Sequence, residues 1–232
     1  MVITATRLTR WAALSAITAG LLFILVQLIH PTEDAANVAS TAWALTHGLT
    51  LAMAVLALIG ISGMYLYQLE RAGILGLIGY VLFASCFLVI AGYTFVETFV
   101  LPPLTDTVPQ FVDDVVAIPA GGTVVGDVGV LPAVALVSAG TYLLGGLLFG
   151  LAVLRARVLS RPAAQLLIAG TVSTVLVPVL PHAAGRLTAV PVGIALTWLG
   201  VSLWRAAHAT AGCTRPGMPA ARGGSAEPAG VA

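Results

Sequence analysis

The chain has 232 residues, of which 59% are hydrophobic and only 8% charged, with ten arginines, no lysine and nine acids. A water-soluble domain carries about 25% charged residues, so a soluble enzyme and a disordered protein both fit poorly. The net charge of +1 leaves no basic field for nucleic acid, and none is expected as a partner. The composition is that of a protein whose solvent is the lipid bilayer.

A bilayer core of about 30 Å takes roughly 20 apolar residues as helix. Residues 11–29 form the first such stretch. Arg7 and Arg10 precede it like the start of a secretory signal. But Gln27, Leu28, Ile29, His30 and Pro31 stand where a cleavage site needs small residues, so the helix is read as retained. Stretches 41–67 and 73–101 follow, and Pro102 and Pro103 stop the latter.

The one long connection is 102–130. Within it Phe111, Val112, Val115, Val116 and Ile118 form an apolar stripe beside Asp113 and Asp114, as in an interfacial turn of helix. Gly121, Gly122, Gly126 and Gly129 then make a flexible segment. It could close over the outer face; the plainer expectation is a surface loop on the headgroups, with both aspartates solvated.

The remaining stretches are 131–154, 162–180 and 187–204. Residues 209–232, rich in Gly, Pro, Ala and Ser, read as a disordered tail. None of the long runs alternates as barrel strands do. The expected fold is therefore all-α: a polytopic bundle of six transmembrane helices.

Cytoplasmic loops collect arginine. With the N-terminus inside, Arg7, Arg10, Arg71, Arg155, Arg157, Arg161, Arg205, Arg215 and Arg222 are cytoplasmic and only Arg186 is outside. Both termini are then cytoplasmic. The run from Arg155 to Arg161 reads as topogenic rather than as a binding site. Trp43 falls at the outer interface, as one member of an aromatic belt.

Small residues mark close helix contacts: Gly146 and Gly150 as GxxxG, Gly73, Gly76 and Gly79 at the base of the third stretch, and Gly60 and Gly63 in the second. Cys86 lies mid-helix and Cys213 in the tail, so no disulfide framework exists.

Counting depth from the inner ends places His30, His47, Glu97, His182 and Arg186 in one outer layer. Glu97, 24 residues beyond Gly73, stands about 36 Å along the helix. His47 and Glu97 matter most, because ionisable groups inside spans face the bundle interior and are functional candidates. Tyr93 sits one turn below Glu97 on the same face.

Three chemistries fit. His30, His47, His182 and Glu97 could ligate zinc, although no spaced signature such as HExxH is present. His47 and Glu97 could exchange a proton with a lipid or isoprenoid substrate, supported by Tyr93 and with Arg186 holding an anionic group. Haem would need an opposed pair, His30 or His182 with His47, and fits less well.

No Walker A, GxGxxG or GxSxG motif appears. The layout, with Arg and no Lys, resembles small bacterial membrane proteins of GC-rich genomes. It implies a multi-pass protein of the bacterial plasma membrane. The expectation is an outward-facing site for a small apolar or lipid-like ligand. An acid–base enzyme, a small transporter and an assembly subunit are the alternatives.

Overall fold

The computed structural model describes residues 4–119, 121–180 and 182–213, apart from the side chains of 178, 182–183 and 210–213. Every regular element among the described residues is helical. The long helices are α1 (Ala5–Ile29), α3 (Thr41–Tyr67), α4 (Leu69–Phe95), α6 (Leu131–Ala156) and α9 (Val190–Cys213). Short helices α2 (Ala35–Val38), α5 (Pro109–Ala117), α7 (Arg161–Ser173) and α8 (His182–Leu187) complete the set. Side chains fix several starts: Thr4, Asp34 and Ser40 accept from the Arg7, Asn37 and Trp43 amides, capping α1, α2 and α3. Proline opens α5, α6 and α7, where its missing N–H costs nothing.

Five stretches among these residues are long and apolar enough to cross a membrane: Ala5–Ile29, Thr41–Tyr67, Leu69–Val100, Leu131–Ala156 and Ala184–Ala209. The protein is thus a helical membrane protein. The stretch expected at 162–180 is different. The α-helix there, α7, has only 13 residues, Arg161–Ser173, and a 3₁₀ segment, Thr174–Val179, continues it. The hydroxyls of Ser173 and Thr174 bond the carbonyls of Gly170 and Thr171, three residues back, at the point where the helix tightens. At the far end, α9 runs on to Cys213, past the expected boundary at 204. Residues 209–213 of the expected disordered tail therefore belong to this helix; the rest of the tail, with Arg215, Arg222 and Glu227, lies outside the described residues.

The helices close a ring in the order α1, α3, α4, α6, α7, α9 and back to α1. Its centre is packed with Phe23, Phe83, Phe87, Phe149, Leu167 and Leu196. Small residues allow the approach. A Cβ on Gly79 would strike the Phe149 backbone of α6, and one on Gly145 the Phe83 backbone of α4. Gly146 and Gly150 face Thr171 and Ile168 of α7, and Gly60 faces Ala16 of α1. The glycine motifs are therefore used inside one chain. Gly73 plays another part: at φ 59° and ψ −164° it kinks α4 after its first turn.

A second, smaller core sits over one end of the ring. Val38, Trp43, Leu101, Val112, Val115, Val116 and Val128 are buried together there. The connection 102–130 is thus a folded cap layer and not a surface loop on the headgroups. Val112, Val115 and Val116 of the apolar stripe face the protein, while Phe111 stays exposed. Of the two aspartates, Asp113 is exposed, as expected, but Asp114 is buried. Asp114, 2% exposed, accepts from the amides of Val125 (3.0 Å) and Gly126 (2.8 Å) and from the Gln110 side chain (3.0 Å). Asp113 accepts from the Ala35 amide at 2.7 Å, joining α5 to α2. Trp43 is fully buried beneath this layer and so is not part of a lipid-facing belt.

The two amides, with Gln110 adding, hold the Asp114 carboxyl below its ordinary range. Its contribution to the cap is therefore complete above about pH 4, the ordinary value for an unfolded aspartate, and fades as pH falls through the lower folded value. Asp114→Asn puts an NH₂ group against one of these amides. We expect amide exchange at Val125 and Gly126 to quicken by roughly tenfold with the α4–α6 amides unchanged. Unchanged exchange at both positions would count against Asp114 as the fastener.

Candidate functional site

The polar residues of the capped end converge from three segments. His47, 3% exposed, comes from the second turn of α3, and Glu97, 8% exposed, from the far end of α4. His47 Nε2 lies 3.6 Å from Glu97 Oε2. His30, just past the end of α1, brings its ring centre to 5.0 Å from that of His47, edge to face. Trp43 stacks on His47 with ring centres 3.9 Å apart.

Glu97 does not stand on ordinary α-helix. After Phe95 the chain forms a π-helical turn, Val96–Val100. Such a turn holds one residue more than an α-helical turn and is common at functional sites. The Glu97 carbonyl accepts from Trp43 Nε1 at 2.9 Å. The same tryptophan therefore stacks on the histidine and anchors the backbone of the glutamate.

The hydrogen bonds fix the imidazole chemistry. His47 Nδ1 lies 3.0 Å from the Trp43 carbonyl oxygen, which can only accept, so Nδ1 carries the proton. Neutral His47 therefore presents a bare Nε2 lone pair to the Glu97 carboxyl. His30 Nδ1 likewise donates to the Pro31 carbonyl at 2.9 Å, leaving its own Nε2 bare. At 3.6 Å the His47–Glu97 contact is longer than a direct hydrogen bond and must tighten for a proton to pass.

Burial holds His30 below the ordinary imidazole value, with Arg186 and His47 pushing the same way and the Pro31 carbonyl and Glu33 opposing. His30 is therefore neutral at physiological pH.

Arg186 belongs to this end of the ring. It donates to Glu33 Oε1 at 2.6 Å, and both side chains are 17% exposed. The ion pair ties α8 to the α1–α2 connection. Tyr93 is turned elsewhere: its hydroxyl donates to the Val115 carbonyl at 2.5 Å, binding α4 to α5 of the cap. The side chain of His182 lies outside the described residues.

Among the described residues no three His, Cys, Asp or Glu side chains converge as a zinc site requires. A haem between His30 and His47 does not fit, because the two rings meet edge to face and leave no gap for a porphyrin; the other pair, His182 with His47, involves a side chain outside the described residues. The arrangement suits proton exchange between an imidazole and a carboxyl.

No family model, curated protein or solved structure matches the chain. The fold and the site geometry thus carry the functional reading alone. Sequence reasoning found His47, Glu97 and His30 from depth. It missed the partner of Arg186, Glu33, and the double role of Trp43. The signal for the latter was present as the four-residue spacing Trp43–His47, which stacks two rings on one helix face.

Proposed function

We propose that this is a six-span protein of the bacterial plasma membrane, with both termini in the cytoplasm. At its outer end it binds a small apolar or lipid-like ligand and exchanges a proton with it through His47 and Glu97. Two points support the sixth span. α7 closes the ring between α6 and α9, and with its 3₁₀ extension it is about 32 Å long, from rises of about 1.5 and 2.0 Å per residue. The orientation follows the arginines: Arg7, Arg10, Arg71, Arg155, Arg157, Arg161 and Arg205 all lie toward the end away from the cap layer.

The observation that carries the functional reading is the buried His47–Glu97 contact, made by two spanning helices beneath a folded cap. Ionisable groups inside spans are costly and mark functional sites. The bare Nε2 facing a carboxyl favours the enzymatic form, with His47 as base and Glu97 as acid toward an isoprenoid or lipid substrate. Arg186, and through the cap Tyr93, would position that substrate.

A photoreactive isoprenoid alcohol tests this in nanodiscs. Labelling is expected on residues around His30 and Trp43, and to fall about tenfold in His47→Gln and Glu97→Gln. Labelling confined to lipid-facing side chains such as Leu21 and Leu88, and equal in both variants, would overturn the reading.

A further inference from the structure

The opposite end of the ring carries a site that owes nothing to His47 and Glu97. The turns α3–α4 and α6–α7 enclose an open depression of about 650 Å³, the size of a small-molecule site. Gln68, Glu70, Arg71 and Arg157 line it, with apolar Leu69 and Val158 beside them.

Gln68 is the unusual member. It ends α3 and starts α4, and its backbone serves both: its N–H donates to the Tyr65 carbonyl, and its carbonyl accepts from the Arg71 and Ala72 amides. Its side chain is 2% exposed, and neither Oε1 nor Nε2 has a hydrogen-bond partner. Native proteins rarely bury an amide unsatisfied, since each lost partner costs about 1–3 kcal/mol.

Arg157 is the second. It ends α6 in the left-handed conformation, φ 55° and ψ 30°, and is the one non-glycine residue with positive φ among the described residues. Glycine or asparagine is usual there. An arginine held at that strained position lines the depression together with Arg71.

Two guanidiniums and an unsatisfied amide make a donor set for a phosphate. Glu70 adds one carboxylate to the same lining, which opposes a doubly anionic ligand and attracts an ammonium. The surrounding surface is apolar: Leu66 and Leu69 are 65% and 49% exposed. We propose that this depression seats the headgroup of a phospholipid carrying a primary ammonium: its phosphate on Arg71, Arg157 and the Gln68 amide, its ammonium on Glu70, its chains along Leu66 and Leu69. The flanking leucines favour a lipid over a free phosphate ion.

Delipidated full-length protein, offered phosphatidylethanolamine, phosphatidylglycerol, phosphatidylcholine or inorganic phosphate in turn, decides the matter by native mass spectrometry. Phosphatidylethanolamine is expected to be retained in preference to all three. Arg71→Gln and Arg157→Asn should each weaken that retention about tenfold, the asparagine being chosen because it tolerates the left-handed backbone. Glu70→Gln should remove the preference over phosphatidylglycerol. Equal retention of phosphatidylcholine, no loss in Arg71→Gln, or binding of inorganic phosphate as strong as that of the lipid would each overturn the assignment. A folding defect in any variant shows in its melting temperature, and Gln68→Leu supplies a further check. It relieves the unsatisfied amide and so keeps the fold, while retention falls.

Discussion

Gly79→Ala is expected to stop the bundle from assembling, although it adds a single methyl group. The added Cβ meets the Phe149 backbone and not a side chain that could rotate away, so α4 and α6 must separate. Overpacking a core with one group costs about 1–3 kcal/mol where side chains can adjust; backbone against backbone should exceed that range. Gly145→Ala strikes the Phe83 backbone at the same interface and should behave alike. The controls lie on the same two helices: nothing stands within 4 Å of a Cβ on Gly92 or Gly140. There alanine should be neutral or stabilising by up to about 1 kcal/mol, through helix propensity alone. Yield of monodisperse protein and melting temperature in detergent distinguish the pairs. Gly79→Ala melting with Gly92→Ala would mean that α4 and α6 do not meet as described.

The second large effect concerns Trp43. Removing a buried tryptophan typically costs about 3–5 kcal/mol, and this one serves the cap core, the His47 ring and the Glu97 backbone together. Trp43→Ala should leave the ring assembled and release the cap, with fast amide exchange across 96–101 and 109–117. Trp43→Phe is the sharper experiment. It keeps a ring over His47 but leaves the Glu97 carbonyl without its donor, a loss of about 1–3 kcal/mol at a buried position. Exchange should then quicken at the π-helical turn first. Trp198, 44% exposed, supplies the control as Trp198→Phe. Equal exchange in both phenylalanine variants would remove Trp43 from the site.

The helices were legible because lipid leaves the backbone little choice: a long uncharged run must be helical, and 41–67 matches α3 residue for residue. That His47 and Glu97 share one level of the bundle was legible for the same reason, since each residue of helix advances about 1.5 Å. Other features depend on contacts that no local pattern records. Asp113 and Asp114 look alike in sequence, yet one joins a helix 78 residues away and the other folds a loop just downstream. Trp43 near a membrane boundary reads as a belt residue unless a cap covers it. The π-helical turn at Glu97 has no composition of its own. The shortness of α7 was hidden because Thr, Val and Ser are as apolar in a 3₁₀ segment as in an α-helix.

The two cores share no buried residue. A chain divided in this way need not melt as one cooperative unit. A ligand that binds only the closed cap stabilises only the cap, by an amount set by its concentration relative to its dissociation constant. A thermal-shift screen, which reports the collapse of the larger core, would then score a true ligand of the His47 end as inactive. Protection of the cap amides would score the same compound as a hit.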